Sequence, residues 1–253
     1  MSKESYIKFD INDNIGIIEF YTANHNSLPS NMLKHLSKTI EKASKDEAVK
    51  VIILKSGGDK TFCSGASFDE LLTIENEEDG EIFFSGFAKV INAIRKSSKF
   101  VIGAVQGKAI GGGVGLIAAC DYVYATKTAA IKLSELSIGI GPFVIGPVVE
   151  RKIGTAFTYE MSIDAANFRS AEWAMDKGLY VAIFDDTESM QEATNKLATT
   201  LSNYSADAMA EVKKAFWSNT SHWDNLLYQR AAISGRLVLT DFTKQFLKAF
   251  KNK

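Results

Sequence analysis

The sequence predicts an α/β protein in which a unit of strand, glycine-bearing loop and helix repeats and is followed by a helical C-terminal region. The first observation is two short, almost wholly apolar stretches, "VKVIILKS" (49–56) and "KFVIGAVQG" (99–107). Continuous apolar strands are typical of parallel sheets covered on both faces. The second is their spacing of about 50 residues, which indicates stacked structural repeats. The third is the absence of strand patterns after about residue 189.

The elements around the first repeat can be assigned in chain order. "YIKFDINDNIGIIEFYT" (6–22) predicts a hairpin of two strands around the turn "NDN". Residues 27–46 carry apolar side chains at helical spacing, and Ser30 is the predicted N-cap. Residues 83–97 also have helical periodicity. The acidic segment "IENEEDGE" (74–81) is predicted to be a solvated, mobile loop or, alternatively, a lid beside a substrate pocket.

A third copy of the repeat begins at "AAIKLSELSIGIG" (129–141). Four helices are predicted beyond it from apolar periodicity, and they cover residues 189–203, 206–218, 223–239 and 241–253. The third of these helices carries apolar side chains that need a partner surface. We therefore place a loose boundary near residue 195, with residues 1–195 as the core and residues 196–253 as a helical region.

Composition excludes several classes of function. The chain has 253 residues, 46% of them hydrophobic, and a formal net charge of −1 with Lys and Arg scattered, so no binding to nucleic acid or to an acidic membrane is expected. The start of the chain is polar and no apolar run is long enough to span a membrane. Two cysteines suit a reducing compartment, so we expect a cytoplasmic protein. The three histidines lie far apart, and no metal site is predicted.

Two loops of small residues follow buried strands and are candidate ligand sites. They are "FCSGAS" (62–67) and the triplet "GGG" (111–113), which stands at a predicted helix start. If equivalent loops of successive repeats lie side by side, two backbone N–H groups can converge on one oxygen and form an oxyanion hole. The alternative is that the glycines only allow close packing of helix on strand. The residues by themselves leave both interpretations open.

Glu135 is a single carboxylate among apolar neighbours at a predicted strand end. Desolvation there would raise its pKa towards the range of a general base, although a helix cap or an ion pair is the more ordinary role. Cys63 as a nucleophile is disfavoured, because no histidine lies in a supporting local motif. The pattern Gly113-x-Gly115-x-x-Ala118 weakly fits a dinucleotide-binding loop, which keeps an oxidoreductase open as a remote alternative.

Four segments occur in the order and spacing of one known family. "HNSLPSNMLKHL", "VKVIILKSGGDKTFCSGASFDEL", "VIGAVQGKAIGGGVGLIAACDYVYAT" and "IKLSELSIGIG" resemble the crotonase, or enoyl-CoA hydratase/isomerase, superfamily over residues 11–185. The resemblance implies a crotonase-like spiral of ββα repeats with a C-terminal helical trimerisation region. It also implies acyl-CoA thioester substrates, no cofactor beyond the coenzyme A of the substrate, and a homotrimer or dimer of trimers.

The resemblance carries roles onto particular positions. Ala66 and Gly112 match the two oxyanion N–H donors, Ser64 matches the backbone beside the adenine of coenzyme A, and Glu135 matches the shared catalytic carboxylate. The residues expected to contact coenzyme A or substrate are Ser64, Gly65, Ala66, Phe68, Gly111, Gly112, Gly115 and Pro142. Under this interpretation residues 1–195 bind and transform acyl-CoA, and residues 196–253 serve oligomerisation.

Two departures from the family pattern bear on the reaction. Hydratases that the chain resembles carry a second glutamate where this sequence has Gly115, and other branches place an aspartate where it has Phe143. One carboxylate suffices to move a double bond, because the same group can remove a proton at C2 and return it at C4. Isomerisation of an enoyl-CoA is therefore favoured. The alternatives are hydration with one carboxylate, including of branched substrates such as methylglutaconyl-CoA, and a non-catalytic acyl-CoA binder.

Overall fold

The structure, a computed structural model, describes residues 4–251 and contains two sheets. In the six-stranded sheet the order is β1-β2-β3-β5-β7-β9, and all neighbours are parallel except β1 and β2. The smaller sheet has the parallel order β4-β6-β8. The strands are β1 Tyr6–Asn12, β2 Ile15–Tyr21, β3 Val51–Ser56, β4 Thr61–Cys63, β5 Phe100–Val105, β6 Lys108–Ile110, β7 Tyr122–Thr126, β8 Ile131–Lys132 and β9 Ala182–Phe184.

Each repeat contributes one strand to each sheet, so the chain winds as a spiral and the predicted fold class is confirmed. The pairs are β3 with β4, β5 with β6, and β7 with β8. The helices are α1 Ser30–Lys45, α2 Phe68–Leu71, α3 Glu77–Lys96, α4 Gly112–Ala119, α5 Gly146–Ile153, α6 Thr155–Ile163, α7 Ala171–Asp176, α8 Thr187–Ser202, α9 Ala206–Phe216, α10 Trp223–Leu237 and α11 Asp241–Lys251. The main core lies between the large sheet and α1, α3 and α4.

The opening hairpin agrees with its prediction. Asn12 pairs with Ile15, so only Asp13 and Asn14 form the turn. Both residues have left-handed backbone angles, with φ of 47° and 64°. Asp and Asn tolerate this region better than most residues, and two consecutive positive φ values match the twist of an antiparallel pair.

The predicted cap of α1 is wrong by one residue. Pro29 is the N-cap and Ser30 is the first residue of the helix, and no side chain of the cap residue accepts a hydrogen bond. Instead, the Ser30 N–H donates to Glu70 Oε2 at 2.7 Å. A carboxylate from another helix therefore satisfies an N-terminal donor that a local serine was expected to satisfy, and its charge is favourable at that end of the helix dipole.

The acidic segment 74–81 is helical from residue 77 on, so the loop prediction holds only for residues 74–76, and none of the segment lines a cavity of the site described below. Residues 77–81 form the beginning of α3, where the Asn76 side chain accepts a hydrogen bond from the Asp79 N–H at 2.9 Å. Acidic side chains in a first helical turn are stabilised by the helix dipole, so the charge run is a helix-start signal. A Cβ on Gly80 would lie 2.5 Å from the Gly235 Cα, so α3 and α10 are in backbone contact here.

The four predicted C-terminal helices correspond to α8 to α11, although residues 252 and 253 lie outside the described residues. The apolar face of α10 finds its partner surface on α3, as the Gly80–Gly235 contact requires. Residue 195 lies inside α8, and the division of roles at that point stays a prediction. Among residues 4–251, no helix is both long and apolar enough to cross a bilayer.

Candidate active site

Three chain segments meet at one edge of the small sheet. Cys63 of β4 pairs with Ala109 of β6, and Ala109 pairs with Ile131 of β8, all in parallel. The carboxyl ends of parallel strands point the same way, so the segments that follow them emerge side by side. Those segments are the loop 64–67, the glycines 111–113 and the stretch 133–135. The candidate residues of three successive repeats are thereby brought together.

Two backbone N–H groups at this edge have no acceptor within the described chain. They belong to Ala66 and Gly112. Each follows a glycine with positive φ, +88° at Gly65 and +53° at Gly111, and this turn directs the next N–H away from the ladder. A Cβ placed on Gly65 would lie 3.4 Å from the Gly112 nitrogen, so the two loops are in contact. The arrangement can hold one anionic oxygen with two donors.

The Glu135 carboxylate lies against the same glycines. Its Oε1 would be 2.9 Å from a Cβ on Gly111, and its buried Oε2 has no hydrogen-bond partner among the described residues. Burial raises the pKa of Glu135 from 4.5 to about 7, since no cation offsets the cost of desolvating the charge. Glu135 stands at the N-cap position of the short 3-10 helix Leu136–Ile138, but its side chain makes no capping hydrogen bond and, within residues 4–251, no ion pair.

Beside the two N–H groups and Glu135 is a small inner cavity of about 60 Å³. Its walls are contributed by α2, α3 and the segment 143–145. The wall residues are Leu71, Phe84, Phe87, Phe143, Val144 and Ile145. The other polar side chains at its surface are three serines, Ser64, Ser134 and Ser234. Glu135 is thus the single ionisable side chain that faces this cavity in the described part of the chain.

A larger outer cavity of about 580 Å³ opens on the other side of the loops. Ala66, Phe68 and Ser134 line both cavities, so the two form a continuous site. One wall of the outer cavity is α11, which packs on α2 through Phe250 and Phe68, with ring centroids 4.8 Å apart. Its basic lining residues are His25, Lys108, Lys132 and Lys251, and they outnumber its one acidic lining residue, Asp69. The outer cavity can therefore accept a large, anionic group.

The structure brings most of the sequence-predicted site residues into the inner cavity. They are Ser64, Gly65, Ala66, Phe68, Gly111, Gly112, Glu135 and Pro142. Gly115 is not among them, because it is buried within α4. A Cβ on Gly115 would overlap the Ile145 side chain. The structure therefore does not bring Gly115 to the cavity surface with the other predicted residues, because Ile145 lies between them, and its contact with a ligand stays a prediction.

The aromatic wall and the cations of the outer cavity were missed by sequence reasoning. Phe84 and Phe87 stand at helical spacing, which predicts only the apolar face of a helix, and a cavity wall shares this pattern with a packed interior. Phe143 drew notice only as the absence of a carboxylate. The cations of the outer cavity come from separate elements and have no common sequence pattern. No signal in the sequence indicates that these cations line one cavity.

The structure also bears on two alternatives, Cys63 as a nucleophile and a dinucleotide-binding loop at Gly113. Burial raises the pKa of Cys63 to about 12, which removes it from nucleophilic chemistry near neutral pH. Gly113 lies in α4, where a Cβ would be 2.5 Å from the Cys63 carbonyl oxygen, so this glycine serves close packing. The weak dinucleotide pattern is thereby explained without a nucleotide. Two other side chains that could supply a second acid do not line the inner cavity: Asp69 pairs with Lys251 at 3.3 Å, and Tyr159 is exposed on α6.

Comparisons with known proteins agree with this arrangement of the chain. The family model described as enoyl-CoA hydratase/isomerase matches residues 10–252. A methylglutaconyl-CoA hydratase of Rattus norvegicus is 33% identical over 172 residues, 68% of this chain and 54% of that protein. A Δ(3,5)-Δ(2,4)-dienoyl-CoA isomerase of Mus musculus is 30% identical over 188 residues, 70% of this chain and 57% of that protein.

The fold has the same affiliation. A crystal structure of an enoyl-CoA hydratase from Bacillus halodurans superimposes with a TM-score of 0.89, covering 97% of this chain and 100% of that one at 22% identity. At that identity the likeness concerns the fold alone. The family model, which spans nearly the whole sequence, carries the assignment. The chain belongs to the enoyl-CoA hydratase/isomerase family, within the crotonase superfamily.

Proposed function

We propose that the protein moves a double bond in an enoyl-CoA thioester from the 3 to the 2 position, with Glu135 as its single acid and base. The Glu135 carboxylate removes a proton from C2, and the electron pair passes to the thioester oxygen as an enolate. The N–H groups of Ala66 and Gly112 stabilise that oxygen. The protonated Glu135 then returns the proton at C4, so no atom is gained or lost.

The observation that carries this proposal is the solitary position of Glu135. Among the residues that line the inner cavity it alone can ionise near neutral pH, and its Oε2 has no protein partner. A pKa of about 7 lets one group accept a proton and give it back at comparable cost. A carboxylate held in an ion pair would be a weaker base, because the partner would stabilise its charged form.

The packing at Gly115 argues against a two-carboxylate hydration. The Ile145 side chain fills the space into which any side chain at position 115 would point. Phe143 occupies the other position at which a carboxylate was considered, and it adds an apolar ring to the cavity wall. Hydration requires a water held and activated beside C3. Neither position offers a group that could hold or activate it.

The discriminating experiment offers the purified protein a 3-enoyl-CoA and, separately, the matching 2-enoyl-CoA. We expect the conjugated thioester to appear from the first substrate and no hydroxyacyl-CoA to form from the second. Faster hydration of the 2-enoyl-CoA than isomerisation of the 3-enoyl-CoA would contradict the proposal in favour of a hydratase. Binding of both thioesters without turnover would identify a non-catalytic acyl-CoA binder.

Gly65→Ala is expected to lower turnover by about 10²–10³-fold, the usual effect of losing one oxyanion donor. The new Cβ would lie 2.9 Å from the Ile110 carbonyl oxygen, which forces the loop and its Ala66 N–H away from Gly112. Gly154→Ala is the matched control, because Gly154 has φ of +83° with nothing within 4 Å of its Cβ position. Steady-state kinetics and urea unfolding of both variants separate the effects. Equal activity in the two variants would count against the oxyanion role.

The outer cavity suits the coenzyme A portion of the substrate. Lys108 and Lys132 both approach the Phe168 ring, at 5.2 and 4.7 Å from its centroid, and present positive charge at the cavity. Phosphate groups favour such cations.

The homotrimer or dimer of trimers implied by the family, and the cytoplasmic location, stay predictions. Exposed apolar side chains on α6 and α9, including Ile163 and Phe216, are surfaces available for assembly.

A further inference from the structure

The basic side chains of the site all lie in its outer cavity, where Asp69 pairs with one of them, Lys251. The four cationic or titratable basic side chains line the outer cavity, and the inner cavity has none among the residues described. A thioester bound between Ala66 and Gly112 therefore has its anionic phosphates on the side of the cations. Its acyl chain extends into a space whose single ionisable group is another carboxylate.

A carboxylate at the far end of the acyl chain would be unfavourable in the inner cavity. It would be desolvated by Phe84, Phe87 and Ile145 with no cation to pair with. It would also lie near Glu135, whose own charged form is already disfavoured by burial. The serine hydroxyls at the cavity surface, including Ser234 of α10, can donate one hydrogen bond each but carry no positive charge.

The inner cavity also limits length. Its volume of about 60 Å³ is less than half of the roughly 150 Å³ of an apolar cavity that binds benzene, so it takes a chain of only a few carbons. Most of its wall is immobilised by packing: Phe87 lies against Gly112, and Ile145 against Gly115. Phe143 differs from these residues. It is half-buried, and its ring contacts Gly141 of its own loop.

We propose that the acyl group this site accepts is a short, uncharged hydrocarbon chain, and that Phe143 sets its maximum length. The inference rests on the proposed function only in that an acyl-CoA thioester enters the inner cavity. It specifies the substrate class, and it excludes acyl groups with a distal carboxylate. Methylglutaconyl-CoA, the substrate in the name of one relative, belongs to the excluded class.

The test is calorimetric titration of the purified protein with saturated thioesters, which can be neither isomerised nor hydrated. The ligands are butyryl-CoA, octanoyl-CoA, glutaryl-CoA and free coenzyme A. We expect butyryl-CoA to bind at least about tenfold more tightly than the other three. Glutaryl-CoA binding as tightly as butyryl-CoA would overturn the exclusion of carboxylates. Octanoyl-CoA binding as tightly as butyryl-CoA would overturn the limit on length.

Phe143→Ala assigns the length limit to a residue. The variant is expected to bind octanoyl-CoA about tenfold or more better than the wild type, with butyryl-CoA changed by only a few fold. Tyr204→Ala removes an aromatic ring from an exposed position outside both cavities and should leave every affinity unchanged. Phe143→Leu, a smaller change, serves if the alanine variant fails to fold. Unchanged octanoyl-CoA affinity in a folded Phe143 variant would contradict the role of Phe143.

The outcomes separate this inference from the proposed reaction. Selective binding of butyryl-CoA by a protein that turns over neither 3-enoyl-CoA nor 2-enoyl-CoA would support the acyl preference and contradict the isomerase. Isomerisation of long-chain or carboxylated 3-enoyl-CoA thioesters would support the proposed reaction and contradict the acyl preference. Failure of every thioester to bind would contradict both.

Discussion

Glu135→Gln is expected to lower the turnover number for double-bond movement by about 10²–10⁴-fold, the range usual for loss of a general acid–base. Glutamine has nearly the shape of glutamate, so the inner cavity and the two N–H donors stay in place. Affinity for a saturated acyl-CoA should therefore change little. Steady-state kinetics and calorimetric titration measure the two quantities separately. A variant that retains wild-type turnover would show that Glu135 is not the base.

The raised pKa of Glu135 predicts how the activity and the stability of the wild type change with pH. Proton removal needs the carboxylate, so wild-type activity should rise with pH up to about 7, where the pKa of Glu135 lies, and then level off. Stability should behave oppositely. Because the folded pKa is raised from 4.5, the native state holds this proton more tightly than the unfolded chain does. The ionisation cost to folding therefore appears as pH rises from about 4.5 to about 7 and is complete above it.

Glu135→Gln removes that cost. The variant should be as stable as the wild type at pH 4 and more stable at pH 8, by roughly 3 kcal/mol for a pKa raised from 4.5 to about 7. Urea unfolding at the two pH values gives this difference. If the variant and the wild type differed in free energy of unfolding by the same amount at pH 4 and at pH 8, the native environment would not disfavour the charged form of Glu135.

Asp121→Ala is expected to have the largest effect on stability, about 3–5 kcal/mol, because it leaves a buried cation without its counter-charge. Lys213 of α9 has a side chain only 2% exposed, and its Nζ donates to Asp121 Oδ2 at 2.7 Å. Asp121 also accepts from Trp217 Nε1 at 3.0 Å and from the Val101 N–H at 2.8 Å. After the substitution, the remaining acceptor found for the ammonium is the Lys99 carbonyl oxygen.

Two controls make this prediction specific. Glu211→Ala breaks an exposed ion pair with Lys214 on the same helix and should cost at most about 1 kcal/mol. The double variant Asp121→Ala, Lys213→Met removes the most buried cation together with its counter-charge and should recover much of the lost stability; Lys152 keeps its hydrogen bonds to the carbonyl oxygens of residues 120 and 121. Denaturant unfolding of the three variants tests the argument. A double variant no more stable than Asp121→Ala would place the cost in the lost Trp217 and Val101 hydrogen bonds instead.

Local patterns were sufficient for much of the fold and for part of the site. Apolar strands at a repeating interval predicted stacked α/β repeats, the resemblance implied their spiral, and "NDN" predicted a turn that the structure places at Asp13 and Asn14. The stretches that hold Ala66, Gly112 and Glu135 could be singled out because each follows the corresponding strand of one of three successive repeats. Parallel pairing of these strands then brings the three stretches together. A feature that recurs at the same point of every repeat can therefore be predicted from the local sequence of the repeat.

Contacts between distant segments could not be predicted in this way. The α3 start was interpreted as a loop because its charges stood out, while the backbone contact of Gly80 with Gly235 spans most of the chain and has no local signature. Ile145 likewise fills the space beside Gly115 from a different element. Both contacts depend on how helices cross, which a single sequence does not encode as a pattern of spacing.

The crossing of α3 and α10 has a consequence for how the molecule is made. Phe84 and Phe87 are placed by α3, and α10 brings Ser234 to the same cavity, so the acyl site is incomplete until residue 235 has been synthesised. A growing chain can stack its β-strands turn by turn as they emerge from the ribosome. It acquires a complete acyl site only after α10 has emerged as well. A nascent chain that ends before α10 is therefore expected to have the strands of the spiral without its acyl-binding cavity.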